Sequence, residues 1–258
     1  MTLLTYRNGL FYLRTTYREA NILIASENVS SINIGLSRFI EERNLVQDFI
    51  EKHPDFIYSL EPLEFEEEQY SAIALSIEAS KKAGVGPMAS LPGALADITL
   101  ESMLNDGAKN AIVENGGEIS MRMSKKTVIG VYTGKDFNFG LILDNPYEKI
   151  GVSTSSSSVS HALSFGEADA AVVVAENAAL ADAVSTYVGN IVKTGCYKSI
   201  EDAVRKALSI RGVKGCVIYC DGLISFGGSV KPIMLKASGQ EILEESMLRG
   251  PVYSFLIS

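Results

Sequence analysis

The chain has no run near the roughly 18 consecutive apolar residues that a membrane helix needs, which excludes a helical membrane span. Its first residues, MTLLTYRNGLFYLRTTYREA, carry Arg7 and Arg14 and no uninterrupted apolar core, so they do not read as a signal peptide. No Lys/Arg cluster interleaved with aromatics is present, and a net charge of -8 opposes a large phosphate-backbone footprint. Nucleic acid and membrane are therefore not the expected partners. Cysteine is scarce: Cys196, Cys216 and Cys220 show no CxxC spacing. Cys216 and Cys220 lie in GCVIYCDG, a strand pattern that turns both to one face, and read as buried reduced thiols. The expected compartment is cytoplasmic. Histidine is scarcer still. His53, just before Pro54 at a helix end, reads as a capping or surface residue, which leaves His161 as the one imidazole for chemistry.

What is there is an ordinary globular composition, 47% hydrophobic and 21% charged. Asn8-Gly9 between LLTYR and LFYLRTTYR predicts a two-residue hairpin, and Ala20 to Ala25 a third strand. The period then changes, with Phe39, Ile40, Val46, Phe49 and Ile50 on one helical stripe over Leu36 to Lys52. Five glutamates in Glu61 to Glu68 read as a solvated linker or first helical turn, and Tyr70 to Ala83 as a helix. Gly84-x-Gly86-x-x-Ala89 matches a dinucleotide fingerprint only superficially, because it follows a helix and contains Pro87. Its small residues suit close approach to a ligand or a neighbouring element instead.

A helix is expected from about Gly93 to Gly107, then strand, diglycine bend and strand over Asn110 to Met123. The diglycine is either a plain bulge or a place where a flat ring can lie against bare backbone. Thr127 to Thr133 and Phe137 to Leu143 read as a pair around Gly134-Lys135-Asp136. A helix from Ala178 to about Thr194, one from Ser199 to Leu208 with Ser199 and Asp202 near capping-box spacing, and a hairpin turning at Asp221-Gly222 complete the readable part. Antiparallel strands interleaved with long helices, without repeat or linker, predict an α+β fold in a single domain over residues 1–258.

The densest chemistry lies between Gly151 and Thr186. Ser153 to Ser158 read as a hydroxyl-rich loop, either a phosphate cradle or a flexible surface. His161 could act as a base, a ligand or a hydrogen-bond donor. Asp182 and Thr186 are four apart on a helix flanked by small residues. As hard oxygen donors they suit Mg²⁺ or Ca²⁺, or they are an unremarkable Asp and Thr on a helix face.

These motifs resemble the ApbE superfamily, in order, over about Gly93 to Tyr187. Gly93 to Asp97 and the segment Asn110 to Ile119 are similar to that family's helix and GGD/E-I flavin-side segment. Val152-Ser153-Thr154-Ser155 resembles V-[SA]-T-S-G, His161 sits where an H-x-x-D-P histidine would, and Ala181 to Thr186 resembles A-D-A-L-A-T. Pro92-Gly93 replaces a lysine-glycine pair, Ser164-Phe165 replaces the aspartate-proline, and only Ser156 to Ser160 separate the last two motifs. The chain is most similar to a cytoplasmic, poorly characterised branch chiefly of archaea and anaerobic bacteria, some of whose members are associated with sulfur assimilation toward homocysteine.

The resemblance implies a T-fold-type antiparallel sheet packed with long helices, FAD or FMN and Mg²⁺ as cofactors, and transfer of FMN from FAD to a threonine of a protein acceptor. It places Asp182 and Thr186 on the metal and His161 at the catalytic position. Gly93, Asn115, Gly116, Gly117, Glu118, Ser153, Thr154 and Ser155 fall on the flavin or on another phosphate-containing ligand. An accessory role in sulfur incorporation and a flavin-binding module without catalysis are the alternatives.

Overall fold

A computed structural model describes residues 3–65, 71–133, 138–156, 166–193, 196–235 and 254–257. Strands β1 (Leu3–Arg7), β2 (Leu10–Tyr17) and β3 (Ala20–Ser26) form a meander whose first turn has Asn8 and Gly9 both at positive φ, 50° and 84°. Helix α1 (Val29–Lys52) begins seven residues before its hydrophobic stripe. Asn28 caps it, and Gly35 lets Met103 pack against it. The short α2 (Asp55–Tyr58) leads to α3 (Ala72–Ala83), which Ser71 caps and Gly84 closes in the left-handed conformation. The glycine-rich loop beyond it packs against a neighbouring element: Gly86 lies against the backbone of Ser59, and Pro87 opens a single 3₁₀ turn, Pro87–Ala89. Of the glutamate run, residues 66–68 lie outside the described residues.

Helix α4 (Leu91–Asn105) is buried along almost its whole first three turns. It is followed by β4 (Ala111–Asn115), β5 (Glu118–Arg122), β6 (Thr127–Val131), β7 (Phe139–Leu143), β8 (Lys149–Ser155) and β9 (Ala170–Ala175). Then come α5 (Ala178–Ile191), α6 (Tyr197–Ser209), β10 (Val213–Cys220), β11 (Leu223–Gly228), β12 (Lys231–Met234) and β13 (Ser254–Ile257). Ser199 does not cap α6, which starts two residues earlier at Tyr197 with Cys196 at the N-cap; its hydroxyl instead joins Lys193 N and Ile191 O.

Among the described residues nine strands make one antiparallel sheet in the order β1-β2-β3-β4-β5-β8-β9-β10-β11, and four make a second in the order β12-β7-β6-β13. The helices cover one face of the large sheet through Ile24, Val113, Val173, Cys216 and Ile218. The small sheet contributes Ile129, Val131, Phe139 and Leu141 to a separate core that includes Leu23, Ile119, Val152 and Val172 from the other face. Because both faces are covered, β9 (AAVVVA) is buried throughout and shows no alternation. The fold is α+β, as expected. Among the described residues no helix is long and apolar enough to cross a membrane.

Candidate functional site: a carboxylate pair between two helix starts

The start of α5 is the point on which four elements converge. Asn177 accepts from Leu180 N at 2.8 Å as its N-cap. The next two free amides go to a different helix: Ala178 N and Ala179 N donate to the Asp97 carboxylate of α4 at 3.0 and 2.9 Å. Ser120 on β5 donates to the same carboxylate. One turn along α5, Asp182 returns the contact, its Oδ2 accepting from Gly93 N in the first turn of α4 at 3.0 Å. The two helices thus exchange carboxylates at their positive ends, where negative charge is favoured. Two glycines make the approach possible. A Cβ on Gly93 would lie 2.4 Å from Ala178 O, and one on Gly151 would lie 2.0 Å from the Asn177 carbonyl carbon.

Asp182 has a second neighbour. Ser153 Oγ lies 3.5 Å from Asp182 Oδ1, 3.5 Å from Glu118 Oε1 and 3.0 Å from Ser185 Oγ. One hydroxyl carries one proton, so it cannot satisfy both carboxylates at once. Burial pushes Glu118 up to about 8, and the nearby Glu114 carboxylate pushes the same way. Burial, then Glu118, raises Asp182 well above the usual carboxylate range. Among the described residues neither carboxylate has a Lys or Arg ion-pair partner. Asp97 is also raised by burial, but Ser120 and the two α5 amides oppose the shift.

The other expected residues divide along the pleat. Asn115 Nδ2 donates to Pro92 O at 3.0 Å, beside Gly93. Gly116 and Gly117 form the β4–β5 turn with φ of 73° and 121°. Ser153 to Ser155 are not a loop but the end of β8, because β9 pairs with all three and β5 with the strand's first half. Ser153, paired with Val173, faces the helices; Thr154, paired with Val172, faces the second core. Ser155 returns to the helix side against Gly189. Thr186 is half-buried one turn beyond Asp182. Ser157, Ser158 and His161 lie outside the described residues. The structure therefore unites Gly93, Glu118, Ser153 and Asp182 and sets Thr154 apart. Sequence reasoning missed Asp97 and Ser185; the signal for Asp97 was a carboxylate inside the otherwise apolar ALADITL.

The donor set fits a hard cation. Two buried like-charged carboxylates with hydroxyls between them are oxygen ligands without a counter-charge, which suits Mg²⁺ completed by water and phosphate. Among the described residues no group of three or more His, Cys, Asp or Glu converges, so a purely side-chain cage is not formed.

Comparison with known proteins agrees with this architecture. A UPF0280 protein of Archaeoglobus fulgidus is 32% identical over 229 residues, 88% of this chain and 96% of the relative. One of Methanosarcina barkeri is 33% identical over 215 residues, 83% of this chain and 85% of the relative. The ApbE protein of Thermotoga maritima superposes with a TM-score of 0.55 at 14% identity, over 91% of this chain and 98% of that one. A flavin transferase ApbE of Vibrio cholerae does so with a TM-score of 0.50 at 12% identity, over 85% and 97%. At such identities the likeness is one of fold. Residues 4–222 match the family model described as AbpE bacteria, and the chain belongs to that family, within the ApbE superfamily.

Proposed function

We propose that this protein binds a flavin nucleotide with Mg²⁺ held by Asp182 and Glu118, and transfers FMN from FAD to a hydroxyl acceptor. The observation that carries the reading is the pair of buried carboxylates sharing the single proton of Ser153. Thr186 supplies a further hydroxyl on the Asp182 face of α5. When bound, the cation neutralises charge on the pyrophosphate. The chain's own part is alignment: Gly93 N fixes Asp182, Asp97 fixes the start of α5, and Ser153 with Ser185 sets the spacing of the carboxylates. Transfer breaks the pyrophosphate P–O bond, forms a phosphoester on the acceptor oxygen, and releases AMP and the hydroxyl proton. His161 takes that proton. The sequence has Ser164-Phe165 where the family has aspartate-proline, so the imidazole acts without that carboxylate.

Incubating the protein with FAD, Mg²⁺ and a threonine-containing peptide, and reading the peptide mass, tests the transfer. Gain of one FMN that requires Mg²⁺ and is lost in Asp182→Asn is expected. Binding of FAD without transfer to any acceptor would favour the binding-module reading, to which the Ser164-Phe165 departure lends weight. The sulfur-handling reading is narrowed by geometry. Burial pushes Cys216 up to about 12, Cys220 is buried, and only Cys196 is exposed.

A further inference from the structure

The opposite face of the large sheet carries a second pair of ionisable groups that the carboxylate site does not use. Arg14 on β2, Leu23 on β3 and Glu114 on β4 lie in one cross-strand row, which Ile119 continues into β5. Arg14 and Glu114 thus flank a single leucine, with backbones roughly 10 Å apart. Glu114 is only 6% exposed. Among the described residues Arg14 Nη1 is buried without a hydrogen-bond partner, and the Glu114 carboxyl is acted on only by burial and by the charge of Arg14. The two groups feel each other without touching. A second guanidinium, that of Arg7, packs over the Tyr12 ring nearby at 4.9 Å. A buried guanidinium nitrogen left unpaired is costly, and a native fold that keeps it in one row with a buried carboxyl has a use for the two.

Their place in the chain says which use. Glu114 and Glu118 stand on either side of the Gly116-Gly117 turn. The pleat puts Glu114 on the face of Ile119 and Glu118 on the face of Asn115. Between the Arg14–Glu114 row and the Glu118–Asp182 pair, the rim of the sheet carries no side chain at the turn, so a wide flat ring system can cross it. Glu114 offers an acceptor and Arg14 a donor, the complement of a ring edge in which an N–H sits beside a carbonyl.

We propose that Glu114 and Arg14 read the imide edge of a flavin's isoalloxazine ring. Glu114 accepts from N3–H, Arg14 donates to an adjacent carbonyl, and the phosphate end passes over Gly116-Gly117 toward Glu118 and Asp182. This inference rests on the flavin reading given above and assigns the ring end of the same ligand.

The test compares FMN with its N3-methyl analogue by fluorescence titration in Mg²⁺. A site that hydrogen-bonds the N3–H discriminates strongly against a ligand lacking it, so the unaltered protein should favour FMN by about 10- to 100-fold. Glu114→Leu should bind the two flavins within about twofold of each other, with an unchanged or raised Tm because a buried carboxylate is gone. Arg14→Met should weaken FMN by about tenfold and N3-methyl-FMN less. Equal affinity of the unaltered protein for both flavins, or discrimination that survives Glu114→Leu, would overturn the proposal while leaving flavin binding intact. Failure of FMN and FAD to bind at all would overturn both readings. Should Glu114→Leu not fold, the comparison on the unaltered protein decides alone.

Discussion

Asp97 and Asp182 are both buried carboxylates at the junction of α4 and α5, yet they are satisfied very differently. Asp97 accepts two backbone amides and a serine hydroxyl, enough to occupy both oxygens. Asp182 accepts one amide and competes with Glu118 for the proton of Ser153. Burial alone would rank them equally. The count of donors separates a carboxylate that holds two helices together from one with acceptor capacity to spare, to which the proposed function gives a cation.

The contrast can be broken most forcefully at Asp97. Asp97→Ala strands two helix-terminal amides and the Ser120 hydroxyl, and should cost about 3–5 kcal/mol in urea denaturation. A loss under about 1 kcal/mol would mean that water replaces the carboxylate without penalty. Gly93→Ala comes next. Its Cβ would meet Ala178 O at 2.4 Å, so α4 must move away from α5. The expected cost is about 2–3 kcal/mol, read from the same curves, with Mg²⁺ affinity reduced because Gly93 N no longer fixes Asp182.

Stability against pH sharpens the comparison further. Glu118, at about 8 rather than 4.5, and Asp182, raised in the same direction, hold protons in the folded state that the unfolded chain has released. Their contribution is therefore fully present below the unfolded pKa and is lost as pH rises through the folded one. In EDTA, Tm should fall from about pH 5 to about pH 8 and then level off, and Glu118→Gln should flatten the upper part of that slope. Glu114, lifted by burial to about 7, adds to the lower part. A Tm that rises over this range would contradict the burial of the pair. The smallest effect belongs to Asp182→Asn in EDTA. It keeps an acceptor for Gly93 N and relieves repulsion, so stability should change by about 1 kcal/mol or less.

Local signals made much of the fold legible. The Asn8-Gly9 turn and the β4–β5 hairpin are each specified by a few adjacent residues whose backbone demands admit few alternatives. The first two turns of α1 were not legible, because Ser30, Ser31 and Gly35 are weak helix formers held by packing against α4. The serines of β8 read as loop because hydroxyls favour turns, whereas pairing with β9 overrides that preference. Asp182 was visible through its spacing from Thr186 and through a motif likeness, and its partner Glu118 was assigned to the flavin side. Arg14 and Glu114 lie 100 residues apart in sequence, and no periodicity brings them together; only strand order and register do.

Isothermal titration of Mg²⁺ into the protein with FAD present, repeated on Asp182→Asn and Glu118→Gln, tests the central claim most directly. The account predicts saturable binding of one Mg²⁺ per chain with proton release, weakened at least about tenfold by either substitution while the variants remain folded. Undiminished Mg²⁺ binding in both variants would contradict it.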